Sequence, residues 1–155
     1  MTELSFPALP SGLDTPRVVV DLARVEANID RLQRSMDERG IALRPHAKTH
    51  KSVAIARLQV AAGARGITVG TIGEAEVFAA AGIDDLFLAY PVWADGDKAI
   101  RLRALADTGI FAVGVDSVAG AESLGAALAG AGRPLRVLVE VDPGLRRTGV
   151  ATPEE

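Results

Sequence analysis

Apolar positions along the chain alternate between two rhythms. Short aliphatic runs are separated by longer stretches in which apolar residues recur every three or four positions. Val18-Val19-Val20 reads as a strand within 17–21. Asp21 is placed to cap a helix running to about residue 38 or 39 and closed by Gly40. Leu22, Val25, Ile29 and Leu32 give that helix one apolar face. A strand follows over 41–48, then a helix over 52–62 that ends at Gly63. The cycle repeats with a strand at 67–69 and a helix opened by Thr71-Ile72-Gly73-Glu74 and stopped by Gly82. Next come a strand over 86–90, a helix over 95–107 before Gly109, and a strand over 110–115. A helix capped by Ser117 and reaching about 129, then a strand over 135–141, complete the pattern. Such alternation predicts a parallel sheet or barrel.

Two strands carry one polar face each. Successive side chains on a strand point to opposite sides, so Arg44, His46, Lys48 and His50 share a face opposite Pro45, Ala47 and Thr49. In the last strand Leu138, Glu140 and Asp142 oppose Val137, Val139 and Val141, which are expected to pack under helices. An open doubly wound sheet buries both faces under helices, whereas a barrel turns one face into its lumen. The predicted fold class is therefore α/β, a partial (β/α)8 TIM barrel made of its first five strands. Thr152-Pro153-Glu154-Glu155 has the form of a helix start, with a cap, a proline and then glutamates. A closed barrel has eight strands and about 250 residues. Residues 1–16, rich in Pro, Ser and Gly, are expected to form an arm, and 17–155 the N-terminal part of a larger barrel domain.

Composition narrows the function. The chain has 155 residues, 48% hydrophobic and 24% charged, which is enough for one domain with a sizeable core. A net charge of -3 gives no reason to propose a nucleic-acid partner. No run approaches the length of a membrane span, and the N-terminus lacks a signal-peptide pattern. Cysteine is absent, so no thiolate chemistry or cysteine-ligated metal arises within this sequence, and a cytoplasmic setting is expected.

The candidate chemistry lies in Arg44-Pro45-His46-Ala47-Lys48-Thr49-His50-Lys51, which contains both histidines of the protein. A lysine amine is a nucleophile only when neutral, and desolvation beside cations such as Arg44, His46 or Lys51 favours that form. A neutral lysine can form a Schiff base with a carbonyl, including that of pyridoxal phosphate. The bland reading of the same residues is a basic, solvated loop. Tyr90 and Trp93 follow the strand at 86–90 and could line the site, with core or rim packing as the plainer role. Asp116 ends the fourth strand, where it serves equally well as a cap.

Several motifs together resemble a known family. Thr15-Pro16, the valine run, Asp21 and its helix resemble the entry to the alanine racemase N-terminal fold, which belongs to the fold type III pyridoxal-phosphate enzymes. Pro45-His46-Ala47-Lys48-Thr49-His50-Lys51 is similar to the branch of D-threonine aldolases and eukaryotic-type D-serine dehydratases. So are Thr71-Ile72-Gly73-Glu74-Ala75-Glu76 and the Val139-Glu140-Val141-Asp142 segment with Gly144, Arg147, Thr148 and Gly149. The resemblance runs from about residue 13 to 150.

The resemblance implies a pyridoxal 5′-phosphate enzyme with Lys48 as the Schiff-base lysine. It implies Arg147 on the cofactor's phenolic oxygen and Glu140 fixing that guanidinium; the plain alternative is an ion pair at the barrel mouth. For His46 and His50 it leaves open cofactor stacking, proton transfer or strand-end packing. The implied activity is a lyase acting on small D-3-hydroxy amino acids, by retro-aldol cleavage or dehydration. An amino-acid racemase and a non-catalytic cofactor-homeostasis protein are the alternatives. The rest of the barrel, a C-terminal β-domain and the His and Cys ligands of a divalent metal are expected beyond residue 155; no metal ligands are assigned in this chain. The Val18-Val19-Val20 strand would pair with that domain. A homodimer fits the full-length protein, and the 155-residue chain alone is expected to be inactive.

Overall fold

A computed structural model describes residues 8, 9 and 11–152. The last three residues of the expected helix start at 152–155, and most of the first ten residues of the arm, lie outside the described residues. Helix α1 spans Leu22–Asp37, and the Asp21 carboxylate accepts the Arg24 N–H at 3.1 Å, which satisfies one of the orphan donors at its start. Helix α2 (Val53–Ala61) is capped by Ser52, and strand β1 (Ile67–Val69) follows. Helix α3 (Ile72–Ala80) is capped by Thr71 and leads to β2 (Asp85–Leu88). Helix α4 (Gly96–Thr108) precedes β3 (Ile110–Val115). Helix α5 (Val118–Ala127), capped by Ser117 rather than Asp116, precedes β4 (Arg136–Val139).

The four strands lie in the order β1-β2-β3-β4, all parallel. Sequential order without reversal belongs to a barrel rather than to a doubly wound sheet, whose strand order reverses at its switch point. The fold is α/β, with a parallel sheet that forms part of a barrel.

Register sorts the residues into two faces. Ile67, Leu86 and Phe111 sit side by side, as do Val69, Leu88 and Val113, and all six are buried. Helices α3 and α4 cover this face and meet Phe78, Leu102 and Leu105 in one core. Each fully buried Leu or Phe side chain there contributes about 1.5–3 kcal/mol. The opposite face carries Thr68, Phe87 and Ala112 in one row, with Ala89 and Gly114 in the next. This is the lumen side.

Four expectations are corrected. The strand at 41–48 shrinks to one bridge, His46 to Thr68, because Pro45 has no N–H and a turn begins at Ala47. The Val18-Val19-Val20 run is not a strand among the described residues, and Val18 is 88% exposed. Of the four apolar positions expected to face inward on α1, Val25 and Ile29 are partly buried, while Leu22 and Leu32 remain exposed because no described element lies over them. Val137, Val139 and Val141 are exposed rather than packed under helices, since β4 pairs on one side only among the described residues.

Candidate active site

The site begins where the first barrel strand turns. Ala47 N–H bonds Thr68 O at 2.8 Å, and Lys51 N–H closes the following turn on Ala47 O at 2.8 Å. Each histidine uses its ring to set the main chain two residues on. His46 Nδ1 accepts from Lys48 N–H at 3.2 Å, and His50 Nδ1 accepts from Ser52 N–H at 3.0 Å. Both rings are therefore neutral tautomers carrying the proton on Nε2. Burial first, then the Lys48 charge, holds His46 below the ordinary histidine pKa of 6.5, although Glu74 pulls the other way. Burial lowers His50 as well, against smaller opposing effects from Gln59 and Ser52.

The turn separates what simple alternation grouped. Arg44 points to the opposite end of the sheet, where Nη1 lies 2.5 Å from Asp85 Oδ1 and donates to Asp85 O. His50 sits at the start of α2 beside Gln59. His46, Lys48, Lys51 and Glu74 gather around Gly70 instead. A β-carbon on Gly70 would lie 3.5 Å from Glu74 Oε2, 3.7 Å from Lys48 Cβ and 3.8 Å from His46 Cε1. Lys48 is exposed, and among the described residues its amine has no hydrogen bond or ion pair.

Glu74 has a double engagement. Its Oε2 accepts Gly70 N–H at 2.8 Å, and its Oε1 pairs with Lys51 Nζ. Burial would raise its pKa, but the Lys51 hydrogen bond and the Gly70 N–H outweigh that and hold the carboxyl low. The sequence signal was present in Thr71-Ile72-Gly73-Glu74, which reads at first as a helix cap.

On the far side of the lumen face, Glu140 follows β4 and stands 3.8 Å from where a β-carbon on Gly114 would be. Thr148 Oγ1 donates to Glu140 Oε1 at 2.5 Å. Arg147 makes no ion pair with Glu140 and is exposed, which corrects the expected contact between the two. The reason is the loop that carries it. Asp142 accepts from the N–H groups of Arg146 (2.8 Å) and Gly144 (2.9 Å), and Val141 bridges Val150. That closure turns Thr148 inward. A cavity of about 270 Å³ lies against Phe87, Ala89, Gly114, Leu138 and Glu140. Tyr90 and Trp93, exposed rather than packed in the core, border a separate crevice with Gly70 and Thr71.

A family model described as the alanine racemase N-terminal domain matches residues 20–155. The chain belongs to that family. It is 44% identical over 140 residues to the D-threo-3-hydroxyaspartate dehydratase of Delftia sp. (strain HT23), covering 89% of this chain and 36% of that protein. It is 42% identical over 149 residues to the D-threonine aldolase of Arthrobacter sp, covering 94% of this chain and 39% of that protein. The crystal structure of D-threonine aldolase from Filomicrobium marinum superposes with a TM-score of 0.84 at 37% identity, over 88% of this chain and 37% of that one. This alanine racemase-family chain thus spans 36–39% of the length of these curated relatives.

Proposed function

We propose that the full-length protein is a pyridoxal 5′-phosphate-dependent lyase acting on D-3-hydroxy amino acids, of the D-threonine aldolase or D-serine dehydratase type, with Lys48 bonding the cofactor. One observation carries the reading. At the C-terminal ends of the strands a floor of small residues, Gly70, Ala89 and Gly114, lies between an uncommitted amine on Lys48 and a carboxylate on Glu140. The space that a β-carbon on Gly70 would occupy suits a flat ring, and the donor set suits an aldehyde-bearing one.

When bound, the cofactor supplies an electron sink for negative charge developing at the substrate's α-carbon. The chain's own groups do the rest. Lys48 would supply the amine that holds the cofactor's aldehyde and a base beside the substrate's α-carbon. Neutral His46 presents Nε2–H to the same cradle. Glu140, held by Thr148, forms the opposite wall, and Arg147 is assigned to the cofactor's phenolic oxygen. His50 supports the turn through Ser52. The two curated relatives are a dehydratase and an aldolase, and both chemistries begin from the same bound D-3-hydroxy amino acid.

Further strands completing the barrel, a divalent metal bound by ligands elsewhere and a cytoplasmic homodimer belong to the same proposal. Among the described residues no helix is long and apolar enough to cross a membrane, and no three His, Cys, Asp or Glu side chains cluster as metal ligands.

Lys48→Ala tests the assignment. Borohydride reduction followed by peptide mapping should find the cofactor mass on Lys48 in the parent and nowhere in the variant. Cleavage or dehydration of D-threonine, D-serine and D-threo-3-hydroxyaspartate should fall at least about 10³-fold. A variant that keeps both the adduct and the activity would show that another residue bonds the cofactor.

A further inference from the structure

Two lysines compete at the Gly70 cradle. Lys48 and Lys51 stand three positions apart on one turn, and both charges act on His46. Accessibility does not separate them, because both are exposed and the Lys51 side chain is 63% exposed. Their partners do. Glu74, whose own side chain is only 12% exposed, pairs through Oε1 with Lys51 Nζ and is anchored through Oε2 by Gly70 N–H. Lys51 also has a backbone φ of 49°, a left-handed conformation that a residue bearing a β-carbon adopts at a cost. The turn holds it there through Lys51 N–H to Ala47 O.

We infer that Glu74 is a positioning residue that holds the Lys51 amine in an ion pair, and so directs covalent bonding to Lys48. The inference rests on the proposed function in taking the electrophile to be the cofactor's aldehyde. In that reaction the amine nitrogen's lone pair makes the bond to the aldehyde carbon. The aldehyde oxygen then leaves as water with the two amine protons, and no oxidant or reductant is needed. An ammonium has no lone pair to give. A half-buried carboxylate bonded to the Lys51 amine holds it away from the aldehyde. Lys48, with no such partner among the described residues, is the amine of the two that is free to reach it.

A purely structural role for Glu74 exists and can be separated. Thr71 caps α3 by accepting Glu74 N–H at 3.1 Å, and the Glu74 side chain reaches back to the main chain, as in a capping box. Gln performs that cap as well as Glu does, so Glu74→Gln keeps the bond to Gly70 N–H and removes only the negative charge that faces Lys51.

The full chain is loaded with pyridoxal 5′-phosphate, reduced with borohydride and mapped by peptide mass. The parent should carry the label on Lys48 with Lys51 unmodified. In Glu74→Gln the Lys51 share should rise about tenfold, as expected when one charge-assisted hydrogen bond is lost. In Lys48→Ala no Lys51 label should appear until Glu74→Gln is added. A second measurement needs no variant: a dilute acylating reagent on the cofactor-free parent should modify Lys48 faster than Lys51. Label on Lys48 in the parent with an unchanged pattern in Glu74→Gln, or equal acylation rates, overturns the inference and leaves the proposed function standing. Parent label on Lys51, or on neither lysine, overturns both.

Discussion

The two ends of the same strands are built to different rules. At the N-terminal end Arg44 and Arg65 converge on Asp85, whose carboxylate is matched by both. Gly66 lies beneath them, where a β-carbon would meet Asp85 O at 2.2 Å and Arg44 Nη1 at 2.6 Å. At Gly109 it would meet Asp84 O at 2.3 Å. These glycines are required because the backbones touch. At the C-terminal end a β-carbon on Gly70 would meet nothing closer than 3.5 Å, and one on Gly114 nothing closer than 3.7 Å. These glycines leave space. Beside the Lys51–Glu74 pair, two cations there are unmatched among the described residues: the Lys48 amine has no hydrogen bond or ion pair, and Arg147 is exposed on its loop. One end spends its polar groups on holding the sheet together; the other leaves them for a ligand.

The sharpest way to break this contrast is to add one methyl group at each end. Gly66→Ala should destabilise the protein by about 3 kcal/mol or more, or prevent folding, since backbone rather than a flexible side chain must move. Gly70→Ala should change stability by no more than about 1 kcal/mol, because its β-carbon would make ordinary contacts. It should nevertheless weaken pyridoxal phosphate about tenfold by filling the cradle. Thermal melts and cofactor titration read the two effects. Equal melting shifts for the two variants would show that both ends serve packing alone.

A smaller effect tests the Glu140 wall. Glu140 is bonded to Thr148 rather than to Arg147, so coupling should follow the bond. In cofactor affinity, Glu140→Gln with Thr148→Val should fall short of the sum of the singles by about 0.5–1.5 kcal/mol. Glu140→Gln with Arg147→Ala should be additive within about 0.5 kcal/mol. Strong coupling of the second pair would mean that Arg147 swings onto Glu140 when the cofactor binds.

Much of this was legible in the sequence where local chemistry dominates. Asp21, Thr71 and Ser117 each act at the helix start that the sequence suggested, and Ser52, read as the first helical residue, proves to be the cap of α2, because a side-chain oxygen satisfying an N–H three residues on is a local event. The alternation of strand and helix fixed the parallel order for the same reason. The site was legible only in part. Strand alternation placed Arg44 beside Lys48, but the turn at 47–50 breaks the period, and Asp85, 41 positions away, captures Arg44. Glu74 and Thr148 lay inside quoted motifs, yet their partners are set by loop closure, which no spacing rule reports. The expected burial of Val137 and Val139 depended on elements outside the described residues.

The smallest expected effect is a pH dependence, and its sign follows from the two rings. Both histidines have folded pKa values below the ordinary 6.5, so the unfolded chain binds protons more readily. Stability from these sites is therefore fully present above pH 6.5 and is lost as pH falls through the lowered folded values. Protonation at Nδ1 would also remove the acceptor used by Lys48 N–H at His46 and by Ser52 N–H at His50. His46 faces Lys48, Lys51 and Glu74, and the Glu74 carboxyl is held below its ordinary 4.5 by the Lys51 hydrogen bond and the Gly70 N–H. His50 faces only neutral Gln59 and the main chain at Ser52. His50→Asn keeps a side-chain acceptor for Ser52 N–H and removes the titration. Between pH 7 and 5.5 the parent should lose about 1–2 °C more in melting temperature than His50→Asn does. A variant whose melting temperature falls just as steeply would mean that the His50 ring gains its proton without breaking the turn that carries Lys48.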